Sequence, residues 1–159
     1  MTEEFTHMHQ DGSVTMVDVG PKRESARVAV AGAVVEMNAA TLDLLKRAAL
    51  PKGDVLTTAK IAGIMAAKRT SELIPLCHPV ALEYVDIRFA IHDDPPCIRL
   101  EAEARCTGRT GVEMEALVAA QMAAAAIYDM CKAAQKDIRI TDVRLLRKSG
   151  GKSGEFLAP

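Results

Sequence analysis

The chain has 159 residues, 49% hydrophobic and 26% charged, with a net charge of −1. That length suits one domain with a core of its own. The near-neutral balance excludes a broad phosphate-backbone footprint or a polybasic membrane face, so neither a nucleic-acid nor a membrane partner is expected and any basic patch must be local.

Residues 1–13 read as a flexible polar arm that carries His7 and His9; it has neither the charge pattern nor the apolar run of a signal peptide. Residues 14–19 suggest a short strand, broken by Gly20-Pro21. The valine-rich alternation over 25–37 predicts a longer strand. A helix over 39–50 must end at Pro51. Asp54 then suits the N-cap of a helix over 55–70, with Ile61, Ile64 and Met65 on one face. Strands over 81–92 and 97–106 flank the turn Asp93-Asp94-Pro95-Pro96. Thr110 and Glu113 have capping-box spacing at the head of a helix reaching about 135. A last strand over 138–147 precedes a glycine-rich tail, 149–159, with no helix or strand signal. The core order is β-α-β-β-α-β with extra N-terminal elements. It predicts an α+β fold, ferredoxin-like, with an antiparallel sheet and helices on one face of a single catalytic domain, 14–148.

The apolar run 116–130 is interrupted by Gln121 and Asp129 and is too short to span a bilayer. Four cysteines without CxxC spacing, Cys106 and Cys131 among them as small core residues, suggest reduced thiols in a cytoplasmic protein.

The chemistry concentrates in two segments. In KGDVLTTAKIAGIMAAKRTSELIPLCH (52–78), Lys52, Lys60, Lys68 and Arg69 supply cations, and the stretch ends at Cys77 and His78 in a proline-flanked turn. Lys52 precedes a helix N-terminus, where the helix dipole already favours an anion. His78 suits gripping a heterocycle or a phosphate better than binding a metal, because no second Cys/His pair stands at ligand spacing. Cys77 has no nucleophile signature around it. In the second segment Asp129 and Lys132 are three apart on one helix face, the spacing of an ordinary ion pair. Asp129 nonetheless lies in an alanine-rich turn, where a carboxylate is partly desolvated unless paired. Glu113 is explained by the capping box, whereas Glu115 is not. Glu115 and Asp129 are fourteen residues apart, roughly 21 Å along a helix axis yet on one stripe. One small ligand cannot touch both ends, so a site that uses both must be completed by a second subunit. The C-terminal GGKSG lacks the preceding glycine and the following helix of a P-loop.

Five segments closely resemble the cyclic pyranopterin monophosphate synthase family of molybdenum cofactor biosynthesis: MVDVGPK (16–22), KGDVLTTAKIAGIMAAKRTSELIPLCHP (52–79), TGRTGVEMEAL (107–117), IYDMCKAAQKD (127–137) and VRLLRKSGGKSGEF (143–156). They cover about half the chain in family order. Departures are Arg109 where a lysine is usual, Ser71 where an aromatic often stands, and Gly20-Pro21 for a small-residue pair. The resemblance implies a lyase that converts 3′,8-cyclo-7,8-dihydroguanosine 5′-triphosphate to cyclic pyranopterin monophosphate and diphosphate. It implies hexamers built as trimers of dimers, with sites at subunit interfaces. By motif, Asp129 is the implied acid/base with Lys132 beside it, and Lys52 is catalytic or phosphate-binding. Leu76, Cys77, His78, Met114 and Glu115 resemble substrate-binding pieces, with Glu113 beside them, and Arg27, Lys68 and Lys148 resemble phosphate contacts. No intrinsic cofactor or metal is expected; magnesium could accompany the triphosphate. A non-catalytic pterin- or nucleotide-binding module and a purely structural oligomerisation domain are the competing readings. The grouping of Lys52, Asp129 and Lys132 speaks against the first, because sensing needs no acid–base pair.

Overall fold

The structure, a computed structural model, describes residues 12–152 and 154–159. The arm expected over 1–13, including His7 and His9, falls almost wholly outside the described residues. Nine elements follow in chain order: β1 (Ser25–Glu36), α1 (Ala39–Lys46), α2 (Val55–Ala67), α3 (Thr70–Leu73), β2 (Tyr84–Asp93), β3 (Pro96–Gly108), α4 (Glu113–Cys131), β4 (Arg139–Ser149) and β5 (Phe156–Leu157). The strands form one sheet in the order β2-β3-β1-β4-β5, and every pairing is antiparallel. The protein is therefore α+β.

β1 is central and pairs along its whole length with β3, from Ser25 opposite Gly108 to Glu36 opposite Cys97. Its alternation puts Ala29, Ala31, Ala33 and Val35 on the face that meets the helices, with Ile98, Leu100, Ala102 and Ala104 beside them from β3. α4 packs across the sheet with α2 alongside it. The low aromatic content finds its reason here. The contacts between α4 and β1 are largely alanine on alanine, with Ala116, Ala119, Ala120, Ala123 and Ala124 all buried. Small side chains let helix and strand approach closely, and dispersion contacts over that area replace the bulk of aromatic rings.

The same closeness corrects one expectation. Ile61 and Met65 are each 54% exposed, whereas the buried stripe of α2 is Val55, Ala59, Gly63, Ala66 and Ala67. A Cβ on Gly63 would lie 2.7 Å from Ile87 Cδ1 and 2.9 Å from the Ala119 carbonyl oxygen, so only glycine fits between α2 and α4 there. Apolar spacing identified a helix but chose its wrong face.

Several boundaries also differ, and the helix expected over 39–50 ends at Lys46, before Pro51 can act on it. Residues 14–19 hold only an isolated bridge at Val14 and no strand. The helix expected over 55–70 divides into α2 and the short α3, with Lys68 as the α2 C-cap and Arg69 as the α3 N-cap. The tail does contain a strand: β5 pairs with the end of β4, Lys148 opposite Phe156 and Arg147 opposite Leu157. Two residues are too few to leave a pattern in sequence.

The N-caps are legible where a side chain forms the cap. Asp54 accepts from Thr57 N at 3.0 Å and from Thr57 Oγ1 at 2.6 Å. The capping box at 110–113 is absent, because the N-cap of α4 is Val112 and no side-chain bond caps it. Glu113 turns away to a cation from another strand. Among the described residues no helix is long and apolar enough to cross a membrane.

Candidate active site

Most of the residues singled out in sequence fall into two clusters at opposite ends of α4, although Lys60 pairs with Asp86 instead. At its C-terminal end Asp129 bridges two lysines. Its Oδ2 accepts from Lys52 Nζ at 2.6 Å and its Oδ1 pairs with Lys132 Nζ at 2.7 Å. Lys52 also donates to the Asp129 carbonyl oxygen at 3.0 Å, which anchors the loop before α2 to the last turn of α4. Tyr128 Oη donates to the Lys136 carbonyl oxygen at 3.1 Å and fixes the turn that follows Lys132.

Asp129 was expected to be partly desolvated unless paired. It is paired, and its side chain is 53% exposed, because it points outward from the last helical turn. Hydrogen bonds from Lys132 first and Lys52 second lower its pKa from the usual carboxylate range to about 2. Its partner moves the other way, since bonding to Asp129 raises the Lys132 pKa. The cluster is thus an ionised carboxylate holding two ammonium groups, suited to presenting fixed positive charge to an anion.

At the N-terminal end of α4 a cavity of about 320 Å³ is lined by Leu76, Cys77, His78, Met114, Glu115 and Glu113, among others. All six were candidates from sequence. The loop after α3 supplies the first three and the opening of α4 the rest. Glu115 is only 4% exposed, and no cation among the described residues pairs with it. Burial, and then the nearby Glu113 charge, outweigh the bond from its own backbone N–H and raise its pKa. Burial followed by the Glu115 charge likewise raises the Cys77 thiol. The acid with the raised pKa is therefore Glu115, not Asp129.

A carboxyl whose pKa rises on folding costs stability once pH exceeds its unfolded value, and the cost grows until pH passes its folded value. Glu115→Gln is accordingly expected to raise the thermal midpoint at pH 8 and leave it little changed at pH 4. Equal shifts at both values would show that folding does not raise the Glu115 pKa.

Beside this cavity a wider cleft of about 620 Å³ lies between the segment before β1, the loop before α4, and the loop after β4. Arg27 and Lys148 line it, as does Glu113, which receives a hydrogen bond from Lys148 Nζ at 3.0 Å. Sequence reasoning missed that Lys22, Arg23, Arg109 and Lys152 join them there. Taken singly each resembles an ordinary surface charge, and no local spacing unites three segments. Lys68 is exposed at the end of α2 and lines neither cavity.

Glu115 and Asp129 both lie on α4, so the two clusters stand roughly 21 Å apart along one helix. Within one chain the lysine pair and the buried acid cannot address a single small molecule.

Residues 16–151 match the MoaC family. The chain is 71% identical over 154 residues to the cyclic pyranopterin monophosphate synthase of Nitratidesulfovibrio vulgaris, covering 97% of this chain and 96% of that one. It is 66% identical over 159 residues to the synthase of the same name from Desulfovibrio desulfuricans, covering 100% of this chain and 98% of that one. The family match spans most of the chain and both clusters of polar residues, so the chain belongs to the MoaC family.

Proposed function

We propose that this protein is a cyclic pyranopterin monophosphate synthase: a lyase of molybdenum cofactor biosynthesis that converts 3′,8-cyclo-7,8-dihydroguanosine 5′-triphosphate to cyclic pyranopterin monophosphate and diphosphate. The full-length relatives of that name support the activity. The observation that carries the chemistry is Asp129 bridging Lys52 and Lys132.

Two tasks follow from the reaction. Rearranging the purine-derived rings moves protons on and off nitrogen and oxygen. Lys132, whose proton Asp129 holds, is the proton-carrying group at one end, and Glu115, whose pKa burial raises, serves at the other. The second task forms the cyclic phosphate. A ribose-derived hydroxyl attacks the α-phosphorus, a new P–O bond forms, and the bond to the departing diphosphate breaks. Negative charge builds on that leaving group, and lysine ammonium groups stabilise it more than they stabilise the bound substrate. Lys52 takes this role, with Lys148 from the basic cleft. Leu76, Cys77, His78 and Met114 form the walls against which the heterocycle rests. No resident metal enters this scheme; magnesium bound to the triphosphate is compatible with it.

Because the clusters are so far apart in one chain, each complete site is assigned to two protomers. One gives Lys52, Asp129 and Lys132; its partner gives the pocket around Glu115 and His78. This arrangement accords with a trimer of dimers in the cytoplasm. The strand order and the paired helices support reading the fold as ferredoxin-like.

The experiment is incubation of the purified protein with the cyclised nucleotide, following diphosphate release and product mass. Stoichiometric release of diphosphate with formation of the cyclic phosphate is expected. Tight binding without release would instead identify a non-catalytic pterin-binding module.

A further inference from the structure

The resemblance implies a phosphate contact for Arg27, yet its guanidinium is occupied otherwise. Nε donates to the Gly108 carbonyl oxygen at 3.3 Å, and Nη2 to the Arg109 carbonyl oxygen at 3.5 Å. Two of its nitrogens thereby hold the backbone that leads into α4. On the other side lie Gly150 and Gly151, with φ of +98° and +77°. A methyl group on Gly151 would collide with Arg27 Nη1 and stand 2.7 Å from Cζ; one on Gly150 would collide with the Ala26 carbonyl oxygen. Backbone conformation favours glycine at both positions; at Gly150 the Ala26 backbone also leaves no space for a side chain, whereas at Gly151 a side chain would have to displace the Arg27 guanidinium. The turn after β4 therefore lies directly on the Arg27 guanidinium.

Both segments that Arg27 touches carry cations into the same cleft, Arg109 on one wall and Lys148 and Lys152 on the other. Ser25, also in that wall, has a buried hydroxyl oxygen with no hydrogen-bond partner among the described residues. We propose that Arg27 is a positioning residue, tying the 108–109 backbone to the Gly150-Gly151 turn and so aiming Arg109, Lys148 and Lys152 at the diphosphate portion of the substrate. The inference deepens the function proposed above and rests on it for the identity of the ligand. Arg27 suits this role because its planar fork binds two carbonyls while the rest of the guanidinium supports a third segment, which a lysine cannot do.

Inorganic diphosphate is the probe, with its affinity measured by calorimetry on the full-length protein alongside KM and kcat for the cyclised nucleotide. Arg27→Ala and Gly151→Ala are each expected to weaken diphosphate binding about tenfold, the effect of misplacing one charge-assisted contact that the cleft cations make to the ligand. KM should rise by a similar factor while kcat changes less. The double variant should bind no worse than the weaker single one, because both lesions release the same turn. Arg27→Lys should behave like Arg27→Ala. Rescue by lysine, or losses that multiply to about a hundredfold in the double variant, would show that Arg27 acts on the ligand directly and would overturn the proposal. So would a wild-type protein that does not bind diphosphate. If diphosphate binds with the expected cycle but the nucleotide is not turned over, the proposed function fails while the positioning role stands. Should Arg27→Ala not fold, Gly151→Ala and Arg27→Lys still decide between the two outcomes.

Discussion

Replacing Lys132 with alanine is expected to lower kcat by about 10²–10³-fold or more, the usual cost of removing one preorganised charge from a transition state. Asp129→Ala should lose at least as much, for a different reason. Without its carboxylate, Lys52 and Lys132 have no shared counter-ion and repel each other, so both move from where the substrate needs them. Asp129→Asn separates these effects, since it keeps the shape and removes the charge. The fold should persist in all three variants. These ion pairs are about half exposed, and solvent screening leaves such pairs little weight in stability. Thermal midpoints close to wild type, together with the loss of turnover by single-turnover assay, are the expected joint result. Near-normal product formation by Lys132→Ala or Asp129→Ala would remove that residue from the mechanism. The pH dependence has a definite sign as well. With its pKa at about 2, Asp129 is ionised throughout the neutral range, so it can produce no limb in a rate profile between pH 5 and 9. The stability it confers is complete above the ordinary carboxylate pKa and is lost as pH falls toward 2. An acidic limb near neutrality would have to come from another group.

What could be read from sequence depended on how far along the chain the causes lay. Strand alternation, the proline turn between β2 and β3, and the Asp54 cap each act within a few residues, and each was legible. Asp129 and Lys132 share a face through helix periodicity alone, but the third member, Lys52, arrives from 77 residues away and only the family resemblance joined it to them. Glu113 shows the limit clearly. Its local spacing matched a capping box, yet its carboxylate meets Lys148 across 35 residues of chain, and the tertiary pair displaced the local one. Ile61 and Met65 failed for a related reason. Periodicity weights large apolar side chains, whereas the tight approach of α2 to α4 admits only alanine and glycine, so the bulky residues were turned outward. The basic cleft was invisible because its charges come from three separate segments, none of which has unusual composition.

Mixing two inactive variants is expected to restore activity. Glu115→Ala protomers keep the lysine clamp and lose the buried acid; Asp129→Ala protomers do the reverse. If each site is shared across a two-fold interface, a mixed dimer contains one site with both lesions and one with neither. Random exchange makes half the dimers mixed, and each of those has one wild-type site of two, so turnover should recover to about a quarter of the wild-type value. Each parent alone should remain at least tenfold below that level. Subunit exchange must be verified by native mass spectrometry of tagged protomers before the rates are compared. A mixture that has exchanged fully and still shows only the average of its parents would mean that one chain holds the whole site. The geometry makes that outcome difficult to satisfy, because α4 is a single unbroken helix of 19 residues and holds its two ends apart. Only a rearrangement of α4 itself could bring Asp129 and Glu115 of the same protomer to one ligand, and that would break its alanine-packed face against the sheet.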